Sequence, residues 1–333
     1  MENGSEEQLI RDFYNAGMDT VAIEEAGLSS VSDILASIQS AETMEDIQML
    51  FGKLAPQGIN TPLGVYIGAD SKNSTENIVY ASQSGLNLPD RDYYLQDNKK
   101  FVDIRQAYVA HINTMFGLAE LNEQPGASIL ALEKSLADIS WSRLQRRDPN
   151  ARYNKKSLDT WDATLSNIAV GNIITTRGLK AVDTIIVGQP AFFEGLNALM
   201  TSVPVSTWKA YLKWNTLKSF ATYLPSKFEE AHFAFYSTKL RGTSAMKPRN
   251  ERVFGTMDGV LGEPLGKLFV KEYFDEESKK YMSNMIENLR SAYKDRIESL
   301  TWMSAETKSK ALRKLASFTY KVGYPDKWRD YSN

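Results

Sequence analysis

The sequence predicts a mainly α fold interrupted by one small β-hairpin. Three observations predict it. Apolar residues recur three and four apart through most of the chain, the period of a helix face. Between Leu63 and Ser82 that period gives way to alternation, the signature of strands. Glycine, proline and short polar caps separate the periodic stretches at helix-sized intervals.

The first elements are short. Glu6 to Ala16 and Val21 to Glu25 read as helices, with Asp19 as a cap for the second and Gly27 as its stop. Ser30 to Ile38 and Thr43 to Leu54 repeat the pattern. In the latter, Met44, Ile47, Leu50, Phe51 and Leu54 share one face. PLGVYIGAD and NIVYASQ then form the two arms of the hairpin. In the following GLNLPDRDYYL, Gly85 and Pro89 break regular structure, and Asp90 is placed to cap a turn through Asp92.

Two long helices come next, Phe101 to Leu118 and Ala127 to Arg146. Pro149 ends the second, and an extended piece leads to Tyr153 and Asn154. Ser157 to Leu165 is helical again, and Thr184 to Val187 is a brief apolar run. Helices fill the remainder: Ala191 to Met200, Ser206 to Leu224, Ser226 to Leu240 and Ser244 to Tyr273, with a kink expected at Pro264. Asp275 caps the next helix, whose Met282, Met285, Ile286, Leu289, Tyr293 and Ile297 read as a buried stripe. Ser304 caps the last, with Leu312, Leu315 and Phe318 expected to point inward.

Composition narrows the function classes. The 333 residues, 42% of them hydrophobic, suffice for a buried core in one large or two intermeshed domains, with a sub-boundary near 203–207. Thirty-nine basic against 41 acidic residues give a net charge of -2, which carries no nucleic-acid footprint. No apolar run of about eighteen residues marks a membrane span, and the N-terminus has no signal-peptide pattern. Cysteine is absent, which removes disulfides, thiolate metal sites and cysteine nucleophiles. N-x-S/T sequons at Asn3 and Asn73 carry no weight in a chain this long.

The candidate chemistry is sparse. His111 and His232 lie far apart in apolar helical contexts, and no H-E-x-x-H occurs, so neither a zinc site nor a catalytic residue is expected. Locally hydrogen-bonded, partly buried histidines are the plainer reading. Arg146, Arg147, Asp148 and Arg152 cluster around Pro149; they read as an anion or peptide-carboxylate site, or as a loop held by arginine–carboxylate bonds. Lys247, Arg249 and Arg252 form a second basic group, which a solvated helix face accounts for. Asp90, Arg91 and Asp92 before Tyr93 and Tyr94 look like a structural knot.

Taken together, GLNLPDRDYYL, ADSKNS, RDPNARYNKKSL, LTWMSAETKSKALRKL and KVGYPDKWRDYS resemble the neprilysin family of zinc metallopeptidases, in its bacterial oligoendopeptidase O and endothelin-converting-enzyme-like branch. The resemblance runs from Glu6 to Ser332. It implies a multi-helical cap lobe that encloses a peptide cavity, without the thermolysin-like catalytic lobe. The H-E-x-x-H helix, and with it the zinc, would belong to a part after Asn333. This chain alone is then expected to hold no cofactor and to be inactive.

The resemblance implies peptide substrates, reached through the parent enzyme, and a catalytic lobe as partner. It places Arg147, Asp148, Arg249, Arg252, Tyr324 and Trp328 as candidates for the cavity or the lobe interface. The segment from Phe318 to Asp330 is expected either to expose apolar surface and drive self-association, or to fold back on the helices. The lack of cysteine points to a bacterial source and leaves the compartment open between cytoplasm and periplasm or exterior. A stand-alone helical binding or scaffold protein with the same fold is the alternative.

Overall fold

The computed structural model describes residues 4–331; Asn3 and Ser332 lie outside them. The chain forms two compact units, one of the residues up to Asp19 with those from Lys247 onward, the other from Thr20 to Met246. Residues 203–207 fall within the second unit, where Val203 and Pro204 link two of its helices and Val205 begins the second.

In the second unit the helices are α2 (Thr20–Ala26), α3 (Ser29–Gln39), α4 (Met44–Leu54), α5 (Asp92–Leu95), α6 (Lys99–Leu118), α7 (Gly126–Ile139), α8 (Leu158–Asp162), α9 (Val170–Thr176), α10 (Pro190–Ser202), α11 (Val205–Phe220) and α12 (Ser226–His232). Local chemistry starts several of them. Thr43 and Asp46 form a reciprocal capping box on α4: Thr43 Oγ1 accepts from the Asp46 amide at 3.1 Å, and Asp46 Oδ2 from the Thr43 amide at 2.9 Å. Asn98 caps α6 by accepting from the Phe101 amide at 3.0 Å.

Helix α11 is the axis of this unit. All eight residues from Ala210 to Leu217 are buried, so the helix is surrounded on every side. Trp208, Tyr211, Trp214 and Leu217 meet the buried faces of α6 (Ile104, Tyr108, Ile112, Met115) and α7 (Ile129, Leu132, Leu136) in one continuous core. After α12 the backbone widens into a π-helical segment, Phe233–Lys239, where one straight α-helix was expected.

The expected hairpin is present: β1 (Leu63–Asp70) pairs antiparallel with β2 (Asn73–Gln83). It is half of a four-stranded sheet ordered β1-β2-β4-β3, with β3 (Asn154–Ser157) and β4 (Thr184–Val187). The extended piece after Pro149 and the brief apolar run are these two strands. β4 lies parallel to β2 and antiparallel to β3. Alternation divides the faces. Val65, Val79, Ala81, Ile185 and Val187 enter the helical core, while Ile78, Tyr80 and Ile186 form a small cluster on the other side with Tyr153 packed on it and Tyr66 stacked on Tyr80.

The first unit contains α1 (Glu6–Met18), α13 (Arg249–Tyr273), α14 (Glu276–Ser299) and α15 (Ala305–Ala316). α13 kinks where the sequence indicates. Leu261, three residues before Pro264, has left helical geometry at φ -117 and ψ 32. Asp275 and Ser304 cap α14 and α15 as expected, accepting from the amides of Ser278 at 2.8 Å and Thr307 at 3.2 Å. Two expectations fail in this unit. α14 buries none of its residues, and Phe318 is exposed. Apolar spacing records which face needs a partner, not whether that partner lies in the same unit.

Candidate functional site

The sequence-predicted residues fall into three groups: Arg147 and Asp148 in the second unit, and Arg249 with Arg252, and Tyr324 with Trp328, in the first. Arg147 ends a single 3-10 turn, Gln145–Arg147, with its side chain exposed. Asp148 turns onto its own loop, where Oδ1 accepts from the amides of Asn150 at 2.8 Å and Ala151 at 3.2 Å. The neighbouring Arg143 and Arg146 reach the buried Asp90 carboxylate, Arg146 at 3.9 Å. Asp90 Oδ1 meanwhile accepts from the Asp92 amide, which is the expected turn cap. This part of the loop is held by arginine–carboxylate bonds.

Arg249 and Arg252 stand on the first turn of α13. Arg249 Nε donates to the Gly17 carbonyl at 2.8 Å and ties α13 to the end of α1; Arg252 donates to the Lys247 carbonyl at 2.6 Å. Tyr324 and Trp328 are brought together. Their rings stack with centroids 5.9 Å apart, and Tyr324 sets its edge on Phe274. Lys279 of α14 donates to the Tyr324 carbonyl and to Asp326, and Glu263 of α13 accepts from the Arg329 amide. The stretch from Tyr324 to Arg329 therefore folds back on α13 and α14.

Phe318 and Tyr320, at the start of the same segment, stay exposed, and a longer apolar surface lies on α14. Tyr281, Met285, Leu289 and Tyr293 repeat every fourth residue along one face of α14 and are 72%, 41%, 53% and 60% exposed. Phe269 and Tyr273, near the end of α13, are exposed as well.

A second feature escaped the sequence reading. Glu133 of α7 is fully buried and collects three donors. Oε2 accepts from Tyr94 at 2.6 Å, Oε1 from Asn87 Nδ2 at 2.7 Å, and the Tyr108 hydroxyl sits 2.9 and 3.0 Å from the two oxygens. Trp214 Nε1 donates to Tyr108, and Lys218 donates to Asn87 Oδ1. Burial pushes the Glu133 carboxyl up to about 7 against the pull of these hydrogen bonds, and burial pushes the Lys218 ammonium down. The available signal was position: Glu133 shares the face of Ile129, Leu136 and Ala137, where a charged residue is out of place.

His111 and His232 meet beside this cluster, with ring centroids 6.4 Å apart and Tyr236 packed on both. The expected local hydrogen bonds are not made at His111 Nε2 or His232 Nδ1, which are buried without a partner, as is the Tyr236 hydroxyl. Burial drives the imidazoles down to about 3 and about 4, with the charge of Lys218 adding to it at both. A catalytic zinc takes three protein ligands and an open position. Two histidines beside a buried ammonium fall short of that ligand set. Among the described residues no group of three or more His, Cys, Asp or Glu is placed to hold a metal ion. No helix among them is long and apolar enough to cross a membrane.

Comparison with known proteins places this architecture. The N-terminal-domain model of peptidase family M13 matches residues 1–325. An endothelin-converting enzyme homolog of Locusta migratoria is 30% identical over 277 residues, covering 78% of this chain and 38% of that protein. The zinc metalloprotease Zmp1 of Mycobacterium tuberculosis, in its open state, superposes with a TM-score of 0.90 at 33% identity, covering 100% of this chain and 52% of that one. PepO from Lactobacillus rhamnosis shares the fold, with a TM-score of 0.82 at 21% identity over 95% of this chain and 50% of its own. The chain thus spans about half the length of these relatives or less. It belongs to peptidase family M13, the neprilysin family of zinc metallopeptidases, and corresponds to the N-terminal part of that architecture.

Proposed function

We propose that this chain is the cap-side half of a zinc metalloendopeptidase. In this reading it walls the cavity that admits peptides, holds no zinc itself, and leaves bond cleavage to a zinc-bearing half. The observation that carries the reading is the α14 face: Tyr281, Met285, Leu289 and Tyr293 form an apolar stripe left exposed among the described residues, in a chain that spans 52% of a zinc metalloprotease of the same fold. Burying such side chains is worth about 1.5–3 kcal/mol each relative to exposure, which is enough for one helix face to anchor a second lobe.

Arg147, Asp148, Arg249, Arg252, Tyr324 and Trp328 have supporting parts in this reading. Arg249 and the stacked Tyr324 and Trp328 fix α1, α13, α14 and the final segment as one platform behind the docking face. Asp148 shapes the loop that carries Arg147.

Sedimentation of the purified chain with a separately expressed zinc-bearing half of a family member tests the proposal. A one-to-one complex that Leu289→Asp weakens at least tenfold is the expected result. Without the partner, the same face should drive concentration-dependent self-association. A chain that stays monomeric and ignores the zinc-bearing half would favour a stand-alone binding protein.

A further inference from the structure

The outer face of the sheet carries a hollow that the cap reading does not use. Gly68, Ala69, Ala81 and Gly188 are among its lining residues, and its volume is about 270 Å³. Pockets for drug-sized ligands run to about 300–1,000 Å³, so this one suits a single large side chain. The walls are aromatic. Tyr66 and Tyr80 are register partners on β1 and β2 and stack with centroids 4.9 Å apart and planes 1° apart; Tyr153 and Pro149 stand opposite. A Cβ at either of these two glycines would make only ordinary contact with its surroundings. A Cβ on Gly68 would lie 3.6 Å from the Tyr80 ring, and one on Gly188 would lie 3.4 Å from the Ala81 carbonyl.

The walls are fixed before any ligand arrives. The Tyr80 hydroxyl donates to the Ala69 carbonyl at 2.8 Å and accepts from the Ser71 amide at 3.1 Å. Asp70, between the lining residues Ala69 and Ser71, is already bonded by the Lys72 amide, Lys155 Nζ at 2.9 Å and the Tyr153 hydroxyl. Among the described residues, Arg152 and Lys72 make no ion pair with a carboxylate. The Arg152 guanidinium reaches only the Arg146 carbonyl, at 3.5 Å, and Lys72 lies 4.3 Å above the Tyr153 ring with no carboxylate partner. Tyr66 is 46% exposed, so half of its ring is open to a visitor. An open aromatic face beside these two cations is complementary to an apolar side chain joined to a carboxylate.

We propose that this hollow is a peptide-docking site, seating an aromatic or long aliphatic side chain against Tyr66 and the adjoining carboxylate on Arg152 and Lys72. That the carboxylate belongs to a peptide rests on the peptidase reading. The carboxylate comes either from a chain end or from a neighbouring acidic side chain. The contact holds a peptide without cutting it, and selects among peptides by what lies next to their aromatic residues.

Fluorescence anisotropy of labelled peptides on the purified 333-residue chain tests this. The probes are Gly-Gly-Gly-Phe as free acid, the same peptide as C-terminal amide, Gly-Gly-Gly-Ala as free acid, and Gly-Gly-Phe-Asp-Gly amide. The expected result is saturable binding of the Phe free acid or the Phe-Asp amide, at least tenfold weaker with Arg152→Gln or Tyr66→Ser, and at least tenfold weaker for the Ala peptide. Preference for the free acid assigns the carboxylate to a chain end; binding of the Phe-Asp amide assigns it to a side chain. Both variants are at exposed positions, and unchanged circular dichroism shows that they fold. Absence of binding at about 1 mM peptide, binding indifferent to both variants, or adenosine monophosphate binding in place of the peptides would overturn the proposal. The titration needs no catalysis. Binding here with no hydrolysis in the reunited enzyme would sink the peptidase reading alone, and hydrolysis without binding here would sink only the site.

Discussion

Lys218 and Glu133 are joined through one amide. Asn87 accepts from Lys218 Nζ at 2.8 Å through Oδ1 and donates to Glu133 Oε1 at 2.7 Å through Nδ2. Asn87 Nδ2 also donates to Asn215 Oδ1, so the loop after β2 is bonded to both α7 and α11. A buried charge pair of this kind does not by itself stabilise a fold, but removing one member leaves the other uncompensated.

Glu133→Ala is therefore expected to cost about 3–5 kcal/mol. It strands the Lys218 ammonium and removes the acceptor of the Tyr94 and Tyr108 hydroxyls. The double variant Glu133→Leu with Lys218→Met should lose clearly less than the sum of its single changes, because it removes both charges at once. Urea unfolding of the three variants measures the coupling, and strict additivity would contradict it.

The same cluster gives stability an unusual dependence on pH. The Glu133 carboxyl is raised in the fold, from 4.5 to about 7, so its contribution is whole below pH 4.5 and is lost as pH rises through about 7. His111 and His232 are lowered from 6.5 to about 3 and about 4. Their contributions are whole above pH 6.5 and are lost as pH falls through those values. Between pH 4.5 and 6.5 two histidines oppose one carboxyl, and stability should fall as pH falls. With both histidines replaced by phenylalanine, the slope over this window should reverse. Thermal unfolding across the window reads the sign.

Gly126 opens α7 hard against α6. A Cβ there would lie 2.5 Å from the Val109 carbonyl and 2.8 Å from Asn113 Oδ1, the atom that accepts from the Gly126 amide. Gly126→Ala should cost about 1–3 kcal/mol, because backbone cannot give way as a side-chain tip can. Denaturant unfolding measures it. Gly255→Ala, an exposed helical site with open space around it, is the control, and should stabilise by about 0.5–1 kcal/mol.

Much of the fold was legible in the sequence because its signals are local. Capping residues and apolar spacing mark α4, α6, α14 and α15, and alternation marks β1 and β2. The short strands were not legible: NKKS is polar, TIIV is too brief to show a period, and β4 pairs with β2 about a hundred residues away. The α14 stripe was legible as a pattern and misread as a buried one. Glu133, Lys218 and the two histidines were each visible, but only tertiary packing brings them together. The arginines around Pro149 showed as a cluster. Which of them hold Asp90, and that Arg152 pairs with no carboxylate among the described residues, depends on side-chain directions that sequence does not carry.

The α14 face separates docking from folding. Leu289→Asp and Tyr293→Ser alter exposed side chains, so each should change the stability of the chain by no more than about 0.5 kcal/mol. Both should still weaken association with a zinc-bearing half. A large loss of stability in either variant would show that the face is already covered within the chain.

The most direct measurement of the account is hydrolysis of a quenched fluorescent peptide, with bound zinc determined on the same samples after dialysis. The chain alone should show no turnover and retain no stoichiometric zinc. Adding a zinc-bearing half of a family member should restore turnover, and Leu289→Asp should abolish the restoration. Turnover by the chain alone with one equivalent of zinc, or restored turnover indifferent to Leu289→Asp, would contradict it.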